Sequence, residues 1–391
     1  MKIIIFTDSF LPLNSGVVTY TINIANILTS RGHKIILFVP KPKEKIYPYK
    51  KLNRKIKIYY FKGIPAFFYP TFRITNILSF KDIKIVKKIN PDILYFQTPF
   101  TLGLKAVMLS KITKKPLVGI FHTHLASEEY LSILGNIYNK INLKKLSWKY
   151  LRYFYNNCSI VISPSKYMAR ELKKNKIKRK IVIINNFIYK DILENKNSKL
   201  KVNKNSFVYI GRISKEKNIK LLIDAFRRVI SVRDSYLYIV GDGPEYKSIK
   251  SYIAKNHLTE RIIMTGNIDN DILLKTNFLR KFNAFITMSN SEVQPISIIE
   301  AMSKGLPIIG PKSRGITEMI TTNGILIKRN SVKEMSDAII KIIDKKNLRK
   351  KMSEESLKIF NKKYNSEESI KKLEKIFFMI KNIQGNNSKT S

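Results

Sequence analysis

The chain has 391 residues, 44% of them hydrophobic, with 15 glycines; this excludes a disordered protein and supplies material for two domains. Its single cysteine, Cys158, excludes an internal disulfide and favours a reducing cytosol. The 73 Lys and Arg against 28 Asp and Glu give a formal net charge of +45, which predicts attraction to anionic lipid, nucleic acid or another polyanion.

The N-terminus predicts a buried first strand rather than a targeting segment. Lys2 is followed by an Ile/Phe run that ends at polar Thr7 and Asp8, which lacks the basic region and apolar core of a signal peptide. No stretch approaches the roughly 18–20 apolar residues of a membrane span. We therefore expect a cytoplasmic protein, or one that is peripheral on the cytoplasmic face of the membrane.

Short apolar strands alternate with longer helical patterns along the chain. Most strand candidates are rich in Ile, Val and Phe without polar alternation, as in strands buried on both faces. Helices are predicted at 17–31, ending at Gly32, and from Pro164-Ser165. This rhythm predicts an α/β fold with parallel sheets covered by helices on both faces. The strand candidates are 2–6, 34–39, 93–96, 117–121, 159–162, 181–184, 207–210, 236–240, 261–265, 284–287, 307–309 and 324–327.

The strand–helix rhythm occurs twice, which predicts two Rossmann-like domains. Residues 1–190 form the first, a polar linker spans 191–205, and 206–382 form the second, with C-terminal helices from about 331; 383–391 are expected to be a disordered tail. A ligand is expected in the interdomain cleft, at the carboxyl ends of the strands. Residues 1–190 hold 35 Lys and Arg against 7 Asp and Glu, a net +28, so the first domain is the more cationic.

Two candidate sites follow strands of the first domain. Gly16 stands where a loop becomes a helix, and there it either serves the turn alone or lets backbone N–H groups approach a phosphate. In Phe121-His122-Thr123-His124, His122 is placed to donate to a sugar hydroxyl or act on developing charge, and either histidine could instead be structural. A metal site is disfavoured because no carboxylate or cysteine completes a ligand set.

Two further candidates lie in the second domain. In Gly211-Arg212-Ile-Ser-Lys-Glu-Lys217, Arg212 and Lys217 either aim at one diphosphate or are solvated loop charges. The sequence Asp269-Asn270-Asp271 resembles an Asp-x-Asp metal site, but N-capping of the next helix is the better interpretation.

The most informative stretch is 287–310, which holds two glutamates eight positions apart. Glu292 lies in a polar turn, whereas Glu300 lies in an apolar run, where a carboxylate needs a partner because an unpaired buried charge is costly. The pair could be a helix-start residue and a salt-bridged one. It could also supply two acceptors, one for sugar hydroxyls and one for ribose hydroxyls.

Together these residues resemble the family-4 type of retaining glycosyltransferases with the GT-B fold, over nearly the whole chain. The Glu292 and Glu300 spacing matches that family's Glu-x7-Glu motif. Further matches are Gly211-Arg212 with Glu216-Lys217, Gly241 to Pro244, Thr265 to Asn267, and Ala-Met-x-x-Gly-Leu-Pro at 301–307.

The resemblance implies roles for these residues. Glu300 would bind ribose, Glu292 and His122 the donor sugar, and the backbone around Ile268 the base. Arg212, Lys217 and the Gly16 loop would hold the diphosphate of a UDP- or GDP-sugar. Transfer would retain anomeric configuration with the leaving phosphate as base; no cofactor would be required, and Mg²⁺ would be at most auxiliary.

One departure from the family pattern bears on the sugar. The pattern has Phe-Gly after the first glutamate, where this chain has Gln294-Pro295, and proline has no N–H. The N–H of Ile296 or Ser297 would have to replace the glycine N–H. The identity of the base and the sugar therefore stays open.

The opening 6–19 and the run around His122 to Tyr130 are similar to lipid glycosyltransferases that act on diacylglycerol or phosphatidylinositol. We expect a lipid acceptor and an anionic membrane surface as partners. The candidate contacts are the Lys41–Lys57 segment, the aromatic loop 67–72 before Arg73, helix 81–89 with Lys81, Lys84, Lys87 and Lys88, and helix 137–155.

Three alternatives to these expectations stay open. The two helices among these contacts could equally be ordinary crossover helices with solvated faces. The enzyme could build a soluble polysaccharide or glycoprotein. A non-catalytic polyanion or RNA binder has only the charge in its favour, and no specific nucleic acid is expected.

Overall fold

The computed structural model describes residues 1–13, 15–43, 48, 51–66, 69–122, 124–126, 143–189 and 193–387, with the side chains of 66, 69–72 and 384–387 left out. These residues form two compact units. Unit 1 comprises the described residues of 1–126, 143–186 and 366–387, and unit 2 comprises those of 187–365. No helix in the described ranges is both long enough and apolar enough to cross a membrane.

Unit 1 is built on a seven-stranded parallel sheet in the order β3-β2-β1-β6-β7-β8-β9. Strand β1 is central, and its residues Ile3 to Phe6 are all fully buried. A separate antiparallel hairpin, β4–β5, precedes the second helix. The strands are β1 Lys2–Phe6, β2 Lys34–Pro40, β3 Lys57–Phe61, β4 Gly63–Ala66, β5 Tyr69–Thr75, β6 Ile93–Phe96, β7 Leu117–Ile120, β8 Ile160–Ser163 and β9 Lys180–Ile183.

The helices of unit 1 are α1 Gly16–Ser30, α2 Phe80–Ile89, α3 Thr101–Thr113, α4 Leu143–Asn156, α5 Lys166–Lys174 and, from the end of the chain, α13 Ser366–Asn387. Helix α2 carries a capping box, in which the Ser79 hydroxyl accepts from the Asp82 N–H and Asp82 accepts from the Ser79 N–H. The same Asp82 pairs with fully buried Lys105 of α3 at 2.5 Å. This ion pair holds α2 against α3.

Unit 2 is built on a six-stranded parallel sheet in the order β12-β11-β10-β13-β14-β15. Alternate residues of β10 enter two different cores: Phe207 and Tyr209 pack in one, Val208 and Ile210 in the other. Burial on both faces explains why these strands lack polar alternation. The strands are β10 Ser206–Ile210, β11 Tyr236–Val240, β12 Ile262–Gly266, β13 Ala284–Ile286, β14 Ile308–Pro311 and β15 Gly324–Ile327.

The helices of unit 2 are α6 Ile219–Ile230, α7 Tyr246–Lys255, α8 Asn270–Lys275, α9 Ile296–Ser303, α10 Arg314–Met319, α11 Val332–Asp344 and α12 Lys346–Ile359. The predicted α/β class and the two parallel-sheet domains are confirmed. Each of the twelve predicted strands is present within about one or two residues of its predicted ends. The prediction missed β3, in which only Phe61 is buried, and the β4–β5 hairpin, in which Gly, Pro and polar residues interrupt the apolar ones.

Two predicted boundaries are wrong. The described part of the predicted 191–205 linker is attached to unit 2, because the Glu194 and Lys196 N–H groups donate to the Leu274 and Lys275 carbonyls. The last helix, assigned by sequence to the second domain, lies in unit 1, where its Phe377 ring packs on Tyr95 and its Glu374 accepts from His33. Residues 383–387 of the predicted tail belong to this helix, and 388–391 lie outside the described residues.

Candidate functional site

Glycines bring the chain segments that follow β10 and β11 into close contact. A Cβ on Gly241, whose φ is +140°, would lie 1.9 Å from the Gly211 carbonyl oxygen, and one on Gly243 would lie 2.3 Å from the Ile213 oxygen. The Ile213 N–H donates to the Asp242 backbone carbonyl oxygen at 2.9 Å. Side chains at these glycines would separate the loops, so the glycines set the shape of this carboxyl edge.

Lys217 and Glu292, predicted separately, are brought together at this edge. Lys217 ends a short 3₁₀ turn after β10, and Glu292 lies in the loop after β13. The Lys217 Nζ forms an ion pair with Glu292 Oε1, to which the Ser289 hydroxyl also donates at 3.2 Å. The two side chains are 12% and 22% exposed, so the pair remains within reach of a ligand.

Arg212 is held by Glu216, whose role could not be read from the sequence motif alone. Its guanidinium donates to Glu216 Oε1 at 2.6 Å, and the Ser214 hydroxyl donates to the same oxygen at 2.7 Å. Burial acts to raise the pKa of Glu216, but the charges of Arg212 and Lys217 outweigh it and hold that pKa below its usual value. Glu216 thus orients Arg212, and its position in the Glu-Lys part of the motif was the available signal.

Glu300 is a buried carboxylate of unit 2. It lies on α9 and is 5% exposed, and no described residue hydrogen-bonds or pairs with its carboxylate. Burial raises its pKa to about 7. Because the described protein supplies no partner for this carboxylate, its predicted bond to a ribose hydroxyl stays a prediction.

Ile296 begins helix α9, and Ile268 lies in the loop after strand β12. Ile296 is the first residue of α9, whose N-cap, Pro295, makes no side-chain capping bond; the N–H groups of the first helical turn therefore lack that competitor. Ile268 follows β12, is half-buried, and packs on the adjacent core. Its predicted contact with a base stays a prediction.

A cavity of about 510 Å³ lies at the same carboxyl edge, beside the glycine loops. Its lining includes one acidic and one basic side chain, and an aromatic ring. The lining residues are Asp242, Gly243, Pro244, Tyr246, Lys247 and Gly266. The cavity is large enough to take part of a nucleotide.

The Asp269 motif is an N-cap, as predicted. The Asp269 side chain accepts from the Asp271 N–H at 2.9 Å at the start of α8. Within the part of the chain that the structure describes, no three His, Cys, Asp or Glu side chains cluster as a metal site.

In unit 1 a buried carboxylate organises the carboxyl edge of the sheet. Asp8, which follows β1, accepts from the Thr98 and Thr101 hydroxyls at 2.7 and 2.8 Å and from the Leu102 N–H at 2.8 Å. Burial raises its pKa, against the lowering effect of these bonds. Because α3 has no cap from its own N-cap residue, Asp8 caps it from the loop after β1.

His122 lies beside this network, after β7. Its Nε2 is 3.0 Å from Gln97 Oε1, and its ring packs edge-on to Tyr20 at 4.7 Å. Burial lowers its pKa to about 3, so the ring is neutral at pH 7. Because the Gln97 amide oxygen faces Nε2, we expect the proton on that nitrogen and Nδ1 as an acceptor.

The remaining predicted residues of unit 1 are placed as follows. Gly16 begins α1 and is exposed, with Ser15 as the N-cap that accepts from the Val18 N–H at 3.3 Å. His124 is buried between the Phe121 and Trp148 rings, which favours its structural interpretation.

Of the predicted membrane contacts, the structure describes helix α2 in full and the others in part. The apolar row of α2 faces the protein, with Val86 fully buried and Ile83 and Ile89 half-buried, while its four lysines are exposed. This favours the crossover-helix interpretation for α2. Residues 67–68, the side chains of 69–72, most of 44–50 and the 137–142 part of the other helix lie outside the described residues.

Comparison with known proteins gives two family matches. A family described as "Glycosyl transferases group 1" matches residues 191–358, and "Glycosyltransferase Family 4" matches 14–191. An alpha-monoglucosyldiacylglycerol synthase of Streptococcus pneumoniae is 27% identical, over 82% of this chain and 73% of its own length. A GDP-mannose-dependent alpha-mannosyltransferase of Corynebacterium glutamicum is 25% identical, over 85% of this chain and 78% of its own length.

A solved structure shows the same fold. The Anabaena protein HepE in complex with UDP has a TM-score of 0.69 and 18% identity, and all of both chains is covered.

Proposed function

Because the chain belongs to the family-4 type of glycosyltransferases with the GT-B fold, we propose that it is a retaining hexosyltransferase that moves a sugar from a nucleotide-sugar donor to a membrane lipid. The observation that carries the transfer reaction is the Lys217–Glu292 ion pair at the carboxyl edge of the second sheet, with Arg212 nearby on the same loop. Such an arrangement offers cations to a diphosphate and a carboxylate to a sugar.

The donor is held by groups of opposite character. Arg212 and Lys217 neutralise the charge that grows on the diphosphate as it departs, which stabilises the transition state more than the ground state. Glu300 accepts hydrogen bonds from the ribose hydroxyls, which relieves its isolation. Gly16, Ile268 and Ile296 keep their predicted roles toward phosphate, base and sugar.

Retention follows from same-face substitution. The bond from the anomeric carbon to the phosphate oxygen breaks, the acceptor oxygen bonds to that carbon from the same side, and the acceptor proton passes to the leaving phosphate. This reaction requires no protein nucleophile, and Mg²⁺ would be at most auxiliary in it, because Arg212 and Lys217 would supply two side-chain cations to the diphosphate. His122 contacts a sugar hydroxyl through Nδ1, as an acceptor, since its other nitrogen faces Gln97.

Three observations support a lipid acceptor at a membrane. A relative is named for diacylglycerol. By sequence, residues 1–126, 139–186 and 366–391 hold 39 Lys and Arg against 8 Asp and Glu, a net +31, whereas residues 127–138 and 187–365 hold 34 against 20, a net +14. Among the described residues, five of fifteen exposed large apolar side chains lie within residues 60–80, including Ile64 at 69% and Phe80 at 86% exposure. Apolar groups within a cationic surface favour anionic bilayers.

A transfer assay tests this proposal. Purified protein is incubated with UDP- and GDP-hexoses and diacylglycerol or phosphatidylinositol in vesicles, and product mass and anomeric configuration are measured. We expect a glycolipid product with retained anomeric configuration. Transfer only to soluble sugars would contradict a lipid acceptor and support polysaccharide or glycoprotein synthesis. If neither UDP nor GDP binds in calorimetry, the transferase proposal fails and a polyanion binder becomes the better account.

A further inference from the structure

Helix α4 presents a second apolar row, on the side away from the core. Its inner row, which includes Trp148 and Leu151, is buried. Its outer row consists of Leu146, Tyr150 and Tyr153, which are 54%, 42% and 47% exposed. Spacings of four and three residues place these three side chains on one face of the helix.

A basic row lies beside this outer row. Lys145, Lys149 and Arg152 follow the same four- and three-residue spacing, each one position before a member of the apolar row. Lys111 of α3 adds a cation, 5.6 Å from the centre of the Tyr153 ring. No acidic residue occurs in the described helix Leu143–Asn156.

The outer row adjoins the carboxyl edge of unit 1. The Tyr150 hydroxyl donates to the Pro99 carbonyl at 2.6 Å. Pro99 belongs to the loop after β6, in which Gln97 contacts His122 and Thr98 donates to Asp8. A molecule that covers the outer row therefore also reaches the loop that shapes the His122 site.

We propose that the outer face of α4 docks on an anionic lipid bilayer and sets a lipid head group beside the loop 97–100. The inference rests on the proposed lipid-acceptor function and assigns it a surface. A bilayer is favoured as occupant because it offers both components of the face: an apolar interior for Leu146 and the tyrosine rings, and anionic head groups for the adjacent cations. A soluble polyanion would leave the apolar row uncovered.

Vesicle sedimentation tests the apolar row. The variant Leu146→Ser with Tyr153→Ser is compared with Leu200→Ser with Val232→Ser, which removes apolar side chains of 40% and 53% exposure in unit 2. Tyr150 is left unchanged because its hydroxyl holds Pro99. On vesicles of 70% phosphatidylcholine and 30% phosphatidylglycerol, we expect the α4 variant to lose at least about tenfold in partitioning and the control to stay within about twofold.

The basic row is tested by lipid charge. Lys145→Gln with Lys149→Gln should weaken binding to phosphatidylglycerol vesicles about tenfold at low salt and leave the weak binding to neutral vesicles unchanged. Lys341→Gln with Lys345→Gln, a pair of the same spacing in unit 2, is the control and should stay within about twofold.

Two results would overturn the proposal: α4 variants that bind vesicles as the wild type does, or a wild type that binds poly(U) RNA through α4 and not vesicles. Calorimetry with UDP and GDP on every variant checks that the fold is intact. It also distinguishes this proposal from the proposed function. Loss of vesicle binding with nucleotide binding intact supports the role of α4, whereas absence of nucleotide binding in the wild type contradicts the proposed transferase function.

Discussion

The two units place charge differently around their carboxyl edges. In unit 2 the charges lie at the site itself, where Lys217 pairs with Glu292 and Arg212 with Glu216. In unit 1 the site residues are a neutral His122 and an Asp8 enclosed by hydrogen-bond donors, while the excess of cations lies on outer surfaces such as α4. This difference agrees with the proposed function, in which unit 2 binds a small anion, the donor diphosphate, and unit 1 meets an extended one, the lipid surface.

Lys217→Met should produce the largest effect, because it removes a cation that meets growing negative charge and leaves Glu292 unpaired. We expect kcat/KM to fall about 10³-fold. Lys215→Met, on the exposed side of the same turn, is the matched control and should change activity less than about threefold. Steady-state kinetics with the preferred donor measure both variants. Equal losses of kcat/KM in the two would contradict a specific role for the Lys217 charge.

Glu300 makes stability depend on pH in an unusual direction. Its pKa is raised to about 7 in the folded protein from an ordinary 4.5, so between those values the folded state holds a proton that the unfolded state has lost. Stability therefore falls as pH rises through this window, by about 3 kcal/mol. Denaturant unfolding from pH 4.5 to 8 should show this fall in the wild type and not in Glu300→Gln. Parallel curves for the two proteins would mean that Glu300 is solvated.

Asp8→Asn should destabilise unit 1 by about 2 kcal/mol, because an amide cannot accept all three bonds that now end on the carboxylate. Asp337→Asn, at an exposed position of α11, should change stability by less than about 0.5 kcal/mol. Thermal unfolding measures the difference. A melting temperature that is unchanged by Asp8→Asn would contradict the trans-capping of α3.

Gln97→Leu should lower kcat about tenfold with little change in the melting temperature, because it removes the acceptor that fixes the His122 proton on Nε2. Nitrogen-15 NMR distinguishes protonated from bare ring nitrogens, and the chain has four histidines to assign. The wild type should show His122 protonated at Nε2 and the variant a mixture. Protonation at Nδ1 in the wild type would reverse the assigned roles.

The parallel strands could be predicted because burial on both faces leaves continuous apolar runs, as in Ile3 to Phe6. The motif residues Lys217 and Glu292 were found separately, and only folding shows that they pair. Asp8 and Gln97 follow strands and carry polar groups, which was a signal, but their partners follow other strands, about 90 and 25 positions away. Sequence periodicity cannot report such distant contacts.

The destination of α13 was also hidden from local patterns. Its amphipathic period predicts a helix with one buried face, but it does not say which sheet receives that face. The prediction followed chain order and placed it with unit 2. Contacts with Tyr95 and with His33, more than 280 positions earlier, decide otherwise.

The return of α13 has a consequence for the order in which the molecule is made. Unit 2 begins at Phe187 and ends at Asn365, with the Ile188 N–H donating to the Tyr364 carbonyl, so its two ends are adjacent. It is an insertion within unit 1. During synthesis on a ribosome, unit 2 can complete its fold while unit 1, begun first, still lacks its last helix. Unit 1, which is synthesised first, is thus the last to complete its fold. A nascent chain arrested after Asn365 would carry a folded unit 2 and a unit 1 that still lacks α13.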